Sequence, residues 1–124
     1  MLALRSPQEV YRRVEFDARI AGANPRELVL VCFEQLNASL GRALHAAAAG
    51  DNAAKSAALT RALSAVAALQ MGIDPAAGIA PVLSQFYQAA RQALLGCALD
   101  FKPAVLERLR DDFAEIGRSL AVAE

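Results

Sequence analysis

Leu106, Leu109, Phe113, Ile116 and Leu120 recur at alternating steps of three and four residues. At 3.6 residues per turn those steps keep one face of an α-helix apolar, and that face must be covered by another element. The same stepping recurs three times upstream. It runs through Val29, Phe33, Leu36, Leu40, Ala43 and Ala47, then Leu59, Leu63, Val66, Gln70 and Ile73 with Ala62 beside them, then Ile79, Leu83, Phe86, Ala90, Ala93 and Cys97. Turn signals separate the stripes at residues 22–25, 50–52, 72–78 and 100–103. Connections this short make consecutive helices antiparallel neighbours. The pattern therefore predicts an all-α fold, an antiparallel up-down four-helix bundle.

Local chemistry agrees with the pattern. Between the turns the chain is rich in Ala, Leu, Gln, Glu and Arg, strong helix formers, with few β-branched residues and no strand alternation. Asn24 suits a cap, Pro25 the first helical position, and Glu27 a reach back to the cap amide. Asp51 or Asn52 suits the start of the second helix, and Pro103 the start of the fourth. Residues 24–124 form the predicted bundle. Residues 1–23 precede it as a short helix or an extended arm whose apolar points are Tyr11, Val14, Phe16 and Ile20. Two aromatics give that arm a reason to dock.

Composition narrows the function. The chain has 124 residues, enough for one core, and 13 basic residues balance 13 acidic ones. A neutral chain lacks the cation excess that a nucleic-acid surface needs, so no nucleic-acid partner is expected. No apolar run approaches the ~20 residues of a membrane span, so no insertion is expected either. The first residues lack the order of a secretory signal, which leads to an expected cytoplasmic location. Cys32 and Cys97 stand far apart, with neither metal-type spacing nor a disulfide framework. Neither a cofactor nor a metal is expected.

Catalytic constellations are weak. His45 is the single histidine, and neither Ser39 nor Cys32 stands three or four residues from it on a shared face. A phosphotransfer module is a second reading of a four-helix bundle carrying a helical histidine. Such a site wants a lysine close behind, and here four alanines and Gly50 follow, with no lysine before Lys55. Asp111, Asp112 and Glu115 read as a solvated face of the fourth helix. The glycines at 22, 50 and 72–78 lack phosphate-loop spacing. No catalytic residue is assigned.

What stands out is apolar surplus. Hydrophobic residues make up 56% of the chain, against ~45–50% in ordinary domains, a reference that also counts glycine. The first helix carries Leu28, Leu30, Val31 and Cys32 outside its stripe, and the third carries Val82, Tyr87 and Leu95 beside its own. The arm can cover these residues, a second copy can, or an apolar segment of another protein can enter a groove between helices. A monomer or weak homodimer fits these readings, a structural dimer being the third.

The string Tyr11-Arg12-Arg13-Val14, then Ala23-Asn24-Pro25-Arg26-Glu27-Leu28, then Cys32-Phe33-Glu34 resembles the flagellar export chaperone family FliS. Gly50-Asp51, Ala54-Lys55, Ala58-Leu59 and Ala62 are similar to the family's second-helix entry, and residues 69–74 to its close. Gly78-Ile79, Phe86-Tyr87, Leu94-Leu95 and Leu99 are similar to its third helix. Departures are Ala89 and Cys97-Ala98, where a tyrosine and an Ala-Asn pair are common, and the absence of the tryptophan usual near the end.

The resemblance implies a non-enzymatic chaperone that holds the disordered C-terminal segment of flagellin. Holding it prevents premature polymerisation and keeps the subunit competent for flagellar type III export, with the export gate as a further partner. The guest surface it implies comprises Tyr11, Val14, Phe16, Ile20, Leu28, Val31, Cys32, Val82, Tyr87, Leu94 and Leu95.

Overall fold

A computed structural model describes residues 25–122, with side-chain environments for 27–120. Four helices follow one another: α1 (Pro25–Ala48), α2 (Asn52–Met71), α3 (Ala80–Leu99) and α4 (Pro103–Val122). Each neighbours the next, and α4 closes back on α1, while α1 and α3 stand on a diagonal. The all-α up-down bundle is the observed architecture. The predicted arm, with Tyr11, Val14, Phe16 and Ile20, lies outside the described residues.

The turn between α1 and α2 follows from two residues. Gly50 adopts φ 73°, and around it the Gly50 and Asp51 amides donate to the carbonyls of Ala47 at 3.1 Å and Ala46 at 2.9 Å. This is the left-handed C-terminal motif that glycine makes cheap. Asp51, rather than Asn52, then caps α2, its carboxylate accepting from the Ala54 amide at 3.0 Å. At the same end Lys55 of α2 sits 4.9 Å from the centroid of the Phe101 ring in the α3–α4 turn.

The core is a set of aromatic rings from three helices. Phe113 of α4 lies 5.2 Å from Phe33 of α1, 4.7 Å from Phe86 and 6.4 Å from Tyr87, both of α3. Leu36, Leu40, Val66, Leu94 and Leu106 fill the layers around them. α4 comes close to Phe33 because residue 117 is glycine. A Cβ there would stand 3.3 Å from the Phe33 ring.

Two stripes are rotated from the sequence expectation. α2 turns Ala58, Ala62, Ala65 and Leu69 inward beside Leu59 and Val66, leaving Leu63, Gln70 and Ile73 half-buried. Alanines permit the close α1–α2 approach, the tightest in the bundle. α3 centres its core face on Ala80, Tyr87, Ala90, Leu94 and Cys97, and Ile79 stands exposed before the helix. In a helix this rich in alanine, two neighbouring registers are both apolar. The larger side chains Tyr87 and Leu94 decide between them, because burying them removes more area from water.

Candidate functional site

The apolar surplus on α1 is largely consumed inside the bundle. Val31 and Cys32 are each 6% exposed, and Leu28 is half-buried. Tyr87 and Leu94 lie in the core. Of the described candidates, two open to solvent: Val82 at 65% and Leu95 at 38% exposure. They stand on opposite flanks of α3, thirteen residues apart. The structure thus brings Cys32 and Tyr87 together in the interior and keeps Val82 and Leu95 apart outside.

The interior pair is chemically quiet. Burial pushes the Cys32 thiol above its ordinary range. Burial, and then the neighbouring Cys32, push the Tyr87 phenol up to about 12. Both groups are neutral at pH 7, and a neutral buried thiol is a poor nucleophile. Cys97 is buried too, its thiol directed at the Lys102 carbonyl 3.8 Å away.

α3 supplies the open surface. From Phe86, whose ring meets Phe113, helical steps of three and four lead to Val82, Ala89, Ala93 and Gly96 along one flank. This flank turns toward α4, and the α3 and α4 backbones are the least closely packed of the neighbouring pairs. The facing flank of α4 carries Val105, Leu109, Asp112 and Ile116, related by the same steps. Val105, Asp112 and Ile116 are half-buried. Small residues line one wall of this α3–α4 seam beside Val82 and Phe86, and branched aliphatics with Asp112 line the other.

The other flank of α3 faces α2. There Gln70 donates its amide to Gln88 at 3.3 Å. Leu95 follows Gln88 by seven residues, and Leu99, 92% exposed, follows Leu95 by four. Leu99, Met71 and Ile79 are exposed apolar residues outside the guest surface expected from the sequence. Their signal was position: Met71 and Leu99 end helices, and Ile79 precedes one, where neighbouring turns no longer cover a side chain.

Charge is distributed unevenly. Among the 40 residues of α2 and α3 the charged ones are Lys55, Arg61 and Arg91, with no carboxylate. α4 carries Glu107, Arg108, Arg110, Asp111, Asp112, Glu115 and Arg118. Between α1 and α4 a polar depression is lined by Gly41, Leu44, His45, Glu107, Arg110 and Asp111. His45 is exposed at its rim, with no lysine alongside. Among the described residues no group of three metal-type ligands converges, and no helix is long and apolar enough to cross a membrane.

The family model described as flagellar protein FliS matches residues 7–119 of the chain. A comparison with curated proteins finds no match.

Proposed function

The chain belongs to the FliS family of flagellar export chaperones, which are not enzymes, and from that membership we propose that it holds the C-terminal segment of flagellin in the cytoplasm until export. The observation that carries this reading is the open flank of α3. Val82, Phe86, Ala89, Ala93 and Gly96 present an uncharged, small-residue wall where the bundle is least tightly closed. A guest helix laid along that wall buries its own apolar stripe together with Val82 and Phe86. Each aliphatic side chain so buried is worth ~1.5–3 kcal/mol. Three or four of them offset the ~2–5 kcal/mol that ordering a disordered segment costs.

In this reading Val82 is a wall residue of the seat. Leu28 on α1 and Leu95 on the α2-facing flank of α3 extend the guest surface beyond it, and Val31, Cys32, Tyr87 and Leu94 lie in the core that keeps the helices in place. The family resemblance adds Tyr11, Val14, Phe16 and Ile20, which lie outside the described residues, to the residues proposed to meet the guest. A guest held this way cannot use its stripe for polymerisation. Its release at the flagellar export gate completes the proposed cycle.

Calorimetry of the full chain with a synthetic peptide of flagellin's C-terminal segment tests the proposal. The expected result is one guest per chain, a negative heat-capacity change, and no loss of binding in moderate salt. Absence of binding at micromolar concentrations overturns it.

A further inference from the structure

We infer that Asp112 selects the guest: it pairs with a cationic side chain of the flagellin segment seated in the α3–α4 seam. The inference rests on the proposed seat and adds the chemistry by which one segment is preferred over another.

Asp112 stands three residues after Leu109, four before Ile116 and seven after Val105, on the flank of α4 that faces the seam. The opposite flank is marked independently. Gly117 faces Phe33 of α1, and Glu107, Arg110 and Asp111 line the depression shared with α1. Asp112 is half-buried, whereas Asp111 and Glu115 are exposed. The sequence pattern placed all three on one solvated face, and the structure separates them.

Among the described residues Asp112 also lacks a partner. Arg108 lies four residues before it, at a spacing that supports ion pairs, yet among the described residues no ion pair or hydrogen bond to the Asp112 side chain forms. α3 offers it no donor from the seam, since Val82, Phe86, Ala89, Ala93 and Gly96 have no side-chain N–H or O–H. The carboxylate oxygens of Asp112 still reach solvent in the free protein, and a guest that covers the seam without supplying a donor strips that water unfavourably. A guest carrying only apolar groups at this level would desolvate Asp112 for no return. A guest carrying a cation there forms a charge-assisted pair in a partly dry site, where such pairs are strongest.

The geometry favours arginine over lysine. Asp112 adjoins Phe113, whose ring lies 4.7 Å from that of half-buried Phe86. A planar guanidinium can donate to both carboxylate oxygens at once and lie against the half-buried Phe86 ring. The seam has no cation of its own on the α3 wall to compete for Asp112, because Arg91, the single charged residue of α3, stands toward α2.

A double-mutant cycle on the full chain tests this. The probes are the synthetic flagellin C-terminal peptide and a copy with its Lys and Arg residues changed to Gln, titrated into the unmodified protein, Asp112→Asn and Asp112→Lys. Asp112→Asn is expected to weaken the native peptide about tenfold and to leave the Gln peptide unaffected. Asp112→Lys should weaken the native peptide further, and a peptide with Glu at the responsible position should recover binding to it. Urea midpoints of the variants should match the unmodified protein, since the carboxylate supports no internal contact. Equal affinities of Asp112→Asn and the unmodified protein, with Val82→Asp still abolishing binding, overturn the selection role and leave the seat intact. Loss of stability in Asp112→Asn, with affinity unchanged after correction for the folded fraction, overturns it as well. Failure of the unmodified protein to bind the native peptide removes the seat and this inference together.

Discussion

The rings of Phe33 and Phe113 meet edge to face, 5.2 Å apart and at 80° between planes, so that α1 and α4 lock through one aromatic pair. Phe113 is fully buried and also touches Phe86 and Tyr87 of α3. One side chain thereby joins three of the four helices.

Replacing Phe113 with Ala should cost ~3–5 kcal/mol, because it leaves a cavity that three helices must share. Urea unfolding checks it: the midpoint falls, and an unchanged slope shows that the denatured state is unaltered. A near-neutral result is incompatible with this core.

Val82→Asp and Leu94→Ala should divide binding from folding. Val82 is two-thirds exposed, so its variant should fold normally and lose affinity for the flagellin peptide. Leu94 is 0% exposed, so its truncation should cost ~2–5 kcal/mol of stability. Stability and affinity measured side by side on both variants separate wall from core.

Stability should fall in strong alkali through Tyr87. Its phenol is raised from 10.0 to about 12 in the fold, by burial first and by Cys32 second. A raised pKa means the folded state holds the proton more tightly than the unfolded chain does. The contribution is complete below pH 10, and it is lost as pH rises through about 12. The urea midpoint should drop across that window, and Tyr87→Phe should remove this part of the drop.

Both thiols should resist labelling. Cys32 and Cys97 are buried, and the Cys32 thiol is shifted toward its protonated form. An aromatic disulfide reagent at pH 8 should react with neither on the minute scale and with both in denaturant. Prompt reaction of one equivalent would place a cysteine at the surface.

The α1–α2 turn should respond to single substitutions. Asp51→Ala removes the cap of α2 and should cost ~1 kcal/mol. Gly50→Ala meets no neighbour within 4 Å, so any loss there reports the positive φ alone. Thermal unfolding of both variants provides the measurement.

The α4 stripe read from the sequence as Leu106, Leu109, Phe113, Ile116 and Leu120 is the face α4 turns inward. Charged residues flank it so closely that one register remains. The helix count, the turns at residues 50–52 and 100–103, and the family resemblance were legible for the same reason, since each depends on spacing along the chain. The apolar run at residues 28–33 was legible only as a surplus. Which of its members would be interior was not, because a helix apolar on every side carries no marker of its buried face.

The sequence by itself determined four amphipathic helices, their antiparallel order and the family to which the chain belongs, because periodicity and turn chemistry act over a few residues. Only the tertiary structure decided which registers α2 and α3 present inward, that α3 rather than α1 holds the open apolar flank, and that Asp112 parts company with Asp111. Those choices depend on how closely neighbouring backbones approach, and that distance is set by side chains far apart in the chain.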